Sequence, residues 1–146
     1  MLGWVCRRKS IPLAAVVCLA VAPPALAFDE SDLQRLADTG ACAECDLSFA
    51  DLEGASLAGA DLSGADLVCA RLAAADLMGA DLSGANAMGA DFAGADLSGA
   101  DLRRAVLLRT ALLEATRANV NISGATFFRS MSDGGLAGVD CDVGAP

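Results

Sequence analysis

The sequence predicts an all-β fold, a solenoid of short-sided stacked coils with a short helix capping its N-terminal end. Three observations carry that expectation. From Cys45 to Arg129 a five-residue unit, Ala-Asp-Leu-x-Gly, recurs seventeen times without losing phase, and a strict period of this kind is the mark of a repeat architecture. With the units starting at residues 45, 50, 55 and so on, the third position is Leu, Phe or Ile in fifteen of them, Ala87 and Arg117 being the exceptions. The fifth position is Gly in nine.

A period of five fits no helix, because at about 100° per residue successive leucines would lie roughly 140° apart and build no apolar face. A bent extended chain does fit. In a three-residue extended piece the first and third side chains point one way and the second the other, so Ala and Leu turn inward while Asp meets water. The fourth and fifth positions then make a corner, where Gly accepts positive φ and Ser63, Ser83 and Ser98 are ordinary turn residues.

Runs such as Ala60-Asp61-Leu62-Ser63-Gly64 and Ala95-Asp96-Leu97-Ser98-Gly99 resemble the pentapeptide-repeat family over about 85 of the 146 residues. The resemblance implies a right-handed quadrilateral β-helix with four pentads per coil. Seventeen pentads then give a little over four coils, and at about 4.8 Å per rung a rod roughly 20 Å long.

The flanking segments read differently. Residues 1–27 join Arg7-Arg8-Lys9 to an apolar stretch from Ile11 to Ala22 and then Ala25-Leu26-Ala27, the layout of a secretory signal peptide cleaved before Phe28. The stretch is shorter than the ~20 residues of a spanning helix, and Pro23-Pro24 interrupts it. Residues 28–44 read as a capping helix and linker, with Ser31 and Gln34 as a capping box, Leu33, Leu36 and Ala37 on one face and Gly40 as the stop. The tail, 130–146, is rich in Gly and Asp and reads as irregular.

Without the leader the chain has seven Arg, no Lys, no His and all 19 acids, a net charge of −12. The acids crowd the start: residues 28–102 hold 15 against Arg35 and Arg71. Such a surface disfavours nucleic acid and anionic membranes and favours solubility or cationic partners. The expected location is the periplasm or outside the cell.

Four cysteines follow the leader, Cys42, Cys45, Cys69 and Cys141, and an even number in an exported chain suggests disulfides, with three pairings open. Cys42-Ala43-Glu44-Cys45 precedes a β-coil rather than opening a thioredoxin-like helix, so a structural clip is expected before redox chemistry. Zinc is disfavoured by the lack of His and of a second close cysteine pair. Asp61, Asp81 and Asp101 fall one coil apart, with Asn121 next. Such a ladder is expected to raise some carboxyl pKa values or to invite a cation, although an outward row converges poorly on Ca²⁺.

The fourth position, elsewhere mostly polar or small, reads Ser48, Val68, Met88, Leu108, Phe128 at intervals of twenty, with Leu113 on the next face. This apolar stripe is expected to meet a partner protein, a second copy, or the chain's own tail with a Cys69–Cys141 disulfide. Ala87 is expected to leave a void or to draw larger neighbours in. At Arg117 the coil is expected to bulge or slip rather than bury a guanidinium.

No His-based catalytic group and no phosphate-cradling loop is present after the leader, so neither an enzyme nor a cofactor is expected. The first reading is a non-enzymatic interaction module, exported, with an acidic rod and an apolar stripe. The alternative follows from the resemblance, since some pentapeptide-repeat proteins mimic DNA and bind gyrase. A thiol-redox or calcium-binding accessory protein is the minor alternative.

Overall fold

A computed structural model describes residues 29–128. The leader at 1–27, the tail at 130–146 and Cys141 with it lie outside the described residues. The chain opens with helix α1, Glu30–Thr39, whose N-cap is Asp29. The Asp29 carboxylate accepts the Ser31 N–H at 2.9 Å and the Ser31 hydroxyl at 2.6 Å. The box expected between Ser31 and Gln34 is therefore not made: Ser31 is already inside the helix, and Gln34 donates forward to Asp38 at 2.8 Å. An acid at the N-cap also suits the positive end of the helix dipole. Gly40 closes the helix at φ 67°, its N–H reaching the Leu36 carbonyl.

Immediately after Gly40 the chain enters the solenoid. Parallel bridges join Ala41 to Asp61, Asp61 to Asp81, Asp81 to Asp101 and Asp101 to Asn121, each twenty residues apart, so four pentads make one coil. Residues 41–44, read in the sequence as linker, carry the same bridge and turn, and Cys42 sits where later pentads have leucine. Four faces result. Their second positions are Ala41, Asp61, Asp81, Asp101 and Asn121 on the first; Asp46, Asp66, Asn86, Val106 and Thr126 on the second; Asp51, Arg71, Asp91 and Ala111 on the third; and Ser56, Asp76, Asp96 and Thr116 on the fourth. On the second face the ladder becomes long enough to form strands β1, Val106–Leu108, and β2, Thr126–Phe128, paired in parallel.

Two kinds of backbone bond hold this geometry. Along the rod, the third-position N–H donates to the second-position carbonyl of the coil above, as Leu47 does to Asp66 at 2.8 Å and Leu67 to Asn86 at 2.8 Å. At most corners the first-position N–H donates back to the third-position carbonyl, as Ala50 does to Leu47 at 3.1 Å. That closes a four-residue turn with positive φ at its third residue, as in a type II turn. The corner residue is Gly at 79 (φ 67°), but the backbone holds the same form at Ala74 (φ 56°), so a side chain there is tolerated at a steric cost rather than forbidden.

The core is one column of apolar side chains. Every third-position residue from Leu47 to Leu112 is 0–6% exposed, and the small first-position alanines, such as Ala65 and Ala85, pack between them. The coil that loses volume at Ala87 gains it at Phe92, the next third position and the only aromatic ring in the buried core among the described residues. Thr110 takes an alanine position without leaving its hydroxyl unsatisfied, donating to the Ala87 carbonyl at 3.0 Å.

The expected break at Arg117 does not occur. Thr116 and Asn121 keep their bridges to Asp96 and Asp101, and the Gly99 N–H reaches the Ala118 carbonyl at 2.7 Å. Arg117 is exposed because it belongs to the last described coil, with no described coil above it to enclose the side chain. An inward position at the end of a solenoid is an edge, not a core.

Candidate functional site

At the N-terminal end, α1 lies on the first coil through a compact polar and sulfur cluster. Cys42 and Cys45 are joined by a disulfide, both 0–1% exposed. The Arg35 guanidinium lies 2.6 Å from the Cys45 sulfur and donates to the Ala43 carbonyl at 3.1 Å. The Asp32 carboxylate accepts the Asp46 N–H at 2.9 Å, and the Asp29 N–H donates to the Asp46 carbonyl at 3.2 Å. The helix is thus bound to the coil by backbone as well as side chain. Asp32, Cys42 and Cys45 have their ligand atoms within 4.8 Å of one another. Both thiols are spent in the disulfide and a guanidinium stands against one sulfur, a setting hostile to a cation. The arrangement is a clip under a cap, with no thiol open to a redox partner.

The acidic faces are built from self-capping turns. Asp61 accepts the Ser63 N–H at 3.1 Å and its hydroxyl at 2.7 Å. Asp81 accepts the Ser83 N–H at 2.8 Å, and Asp101 that of Arg103 at 3.0 Å. The expectation that stacking raises the ladder's carboxyl pKa values is corrected at Asp61. There the Ser63 hydroxyl first, and its N–H second, hold the carboxyl below its ordinary 3.8. Ser98 does the same to Asp96 on the fourth face, and Ser31 to Asp29 at the cap. One oxygen of each such carboxylate is turned onto its own backbone, which leaves the ladder poorly disposed to share a cation. On the third face Arg71 ties two coils together, pairing with Asp51 at 3.1 Å and with Glu53.

The apolar fourth-position column lies on the second face as its spacing predicts, but its members are not equally open. Val68, Met88 and Leu108 are half-buried, and the Phe128 side chain lies outside what is described. The corner beside them is unusual. Cys69 is 7% exposed, the only buried fifth-position residue among the described pentads. Phe49 and Gly89, its neighbours in that corner column, are half-buried, whereas the glycines at 54, 59, 64, 79, 84, 94, 99 and 124 are exposed.

The largest exposed apolar side chains lie elsewhere. Ile122 (52%), Phe127 (41%) and Leu113 (44%) gather at the C-terminal end, with Met78 apart on the fourth face. Sequence reasoning singled out Leu113 but not Ile122 or Phe127, whose inward position marks them as core. The signal was their place in the last coil of the described residues. There the N–H groups of Leu112, Arg117 and Ile122, which lower in the rod would bond to the next coil, have no acceptor among the described residues. Arginines gather at the same end: Arg103, Arg104, Arg109 and Arg117 stand against Glu114, with Arg103 turned back onto Asp101 at 2.7 Å.

A twenty-residue parallel rung, an apolar interior of leucine and alanine and an Asp that caps its own turn in pentad after pentad, as Asp61, Asp81 and Asp101 do, define a pentapeptide-repeat solenoid. The chain belongs to the pentapeptide-repeat family: the model described as Pentapeptide repeats (8 copies) matches residues 45–84, 70–107 and 85–127. It is similar to Rfr23, a pentapeptide repeat protein from the cyanobacterium Cyanothece 51142, at 31% identity over 57% of each chain and a TM-score of 0.56. It is also similar to HetL, a pentapeptide repeat protein involved in heterocyst differentiation regulation from Nostoc sp. strain PCC 7120. There the identity is 34%, over 54% of this chain and 37% of that one, with a TM-score of 0.54. The match therefore spans little more than half of the first relative and about a third of the second. Comparison with curated proteins gave no match.

Proposed function

We propose that the protein is a non-enzymatic interaction module, exported from the cytoplasm, that engages a partner protein through the C-terminal end of its rod. The observation that carries this reading is the exposure of Ile122 and Phe127 at positions that are core everywhere lower in the solenoid. Around them lie rung N–H groups with no acceptor among the described residues, and a rim of arginines. The complementary surface is an extended protein edge that offers backbone carbonyls, apolar side chains and acidic groups. The acidic faces keep the rod soluble and turn polyanions away.

Support for export is the basic, apolar, Ala-x-Ala layout of residues 1–27 together with a disulfide at Cys42 and Cys45. The test is capture of partners from a periplasmic fraction by the processed chain, side by side with Ile122→Ser. Export and the open end are both supported if the chain starts at Phe28 in that fraction and the substitution abolishes capture while α1 and the rungs stay folded. An intact Met1 start in the cytoplasm would sink the exported reading and favour the gyrase-directed alternative. Capture that survives Ile122→Ser would sink the choice of surface.

A further inference from the structure

We infer that the second face is occupied by the chain's own C-terminal segment, residues 129–146, held there by a disulfide between Cys69 and Cys141. In this it departs from the open end argued above, which is a different surface. Coverage of the corner at Phe49, Cys69 and Gly89 is the first ground. A glycine corner has no side chain to hide its own backbone, and its equivalents on other corner columns are exposed, yet Gly89 is half-buried.

The second ground is the chemistry of position 69. A cysteine stands at a left-handed corner, φ 55°, where glycine is the residue of least strain, and it is 7% exposed. Cys69 is disulfide-bonded. Cys42 and Cys45 are bonded to one another, so neither is its partner. The sequence leaves Cys6, Cys18 and Cys141, and removal of the leader, on which this step rests, leaves Cys141 alone.

The third ground is reach. β2 ends at Phe128 at the top of this same face, so the remaining chain starts where the stripe does. From Arg129 to Cys141 is twelve residues, up to about 40 Å extended, against about 15 Å for the three rungs back to the level of Cys69. Met131, Leu136 and Val139 fall within that length and supply apolar side chains to lie against Leu108, Met88 and Val68. Closing the bond removes one hydrogen from each thiol and passes two electrons to a disulfide of the export compartment's thiol-oxidising machinery, which is reduced to its dithiol.

Non-reducing peptide mapping of the full processed chain tests the bond and reads the N-terminus in the same run. A Cys69–Cys141 linked peptide from a chain starting at Phe28 is the expected result. Cys69 recovered as a free thiol, or linked to Cys6 or Cys18, overturns the pairing; an N-terminus at Met1 reports separately on export. Peroxide oxidation tests the docking, with exposed Met78 as internal reference. In the oxidised chain Met88 should react more slowly than Met78, and in Cys141→Ser it should rise toward the Met78 rate. Met88 reacting as fast as Met78 before any substitution would overturn coverage of the face.

Discussion

The Arg35 guanidinium reaches from α1 to the Cys45 sulfur at 2.6 Å, and to the Ala43 carbonyl at 3.1 Å, across the seam where helix and solenoid meet. The helix is therefore anchored to the residues that the Cys42–Cys45 disulfide holds rigid. Cap and clip form a single unit.

The clip makes the first prediction. Replacing both cysteines by alanine opens a short loop, for which the chain-entropy account gives a loss of about 2 kcal/mol. Thermal unfolding of the double variant should start at the N-terminal end, and hydrogen exchange at Leu47 and Asp66 should rise before that at Leu97. Uniform exchange along the rod would contradict the idea that the cap protects the first coil.

Acid sensitivity follows from the self-capping carboxylates. Asp61, Asp96 and Asp29 have folded-state pKa values lowered below 3.8, Asp61 and Asp96 chiefly by their serine hydroxyls. A lowered folded pKa contributes stability that is fully present above the unfolded value and is lost as pH falls through the folded one. Stability should thus be flat from neutral pH down to about 5 and fall below about 4. Ser63→Ala with Ser98→Ala should make that fall shallower, as measured by denaturant midpoints at pH 3 and 7.

Core and corner substitutions should separate cleanly. Leu67→Ala removes a side chain that is 0% exposed in mid-rod and should cost about 2–5 kcal/mol. Gly79→Ala adds a methyl with nothing within 4 Å of it, at φ 67°, so only the backbone conformation opposes it, by about 1 kcal/mol. Chemical denaturation of the two variants checks the ranking. A larger loss at Gly79 would mean that the corner is more crowded than its geometry implies.

The inter-coil ion pair of Arg71 with Asp51 and Glu53 is more than half exposed on the Arg side. Arg71→Gln should lower stability by under about 1 kcal/mol, and 0.5 M salt should erase most of the difference.

The regular part of this fold was legible because position and role coincide: Leu62, Leu67 and Leu72 are inward by the same alternation that sends Asp61, Asp66 and Arg71 outward. Legibility failed where a residue's role depends on which coil it is in. Arg117 and Leu72 hold the same position, yet among the described residues only the latter has a coil above it, a fact that no local pattern encodes. The pentad at 40–44 went unread because Gly40 and Cys42 replace its alanine and leucine. The N-cap was misplaced because Ser31 and Asp29 are both good caps, and the helix begins at the earlier one. The half-burial of Gly89 was not readable from the repeat, since a glycine there looks the same as its exposed equivalents.

Because every rung joins residue i to residue i+20, the rod keeps its faces only in steps of twenty. Deleting one pentad would leave each corner and each inward leucine intact, yet turn everything downstream by a quarter revolution. Asp101 would then stand beneath the wrong neighbour, and the chain would leave the solenoid on a different side. Loss or gain of four pentads would change only its length. The repeat thus tolerates growth by whole coils, while single pentads act as a rotary setting that decides which surface faces which.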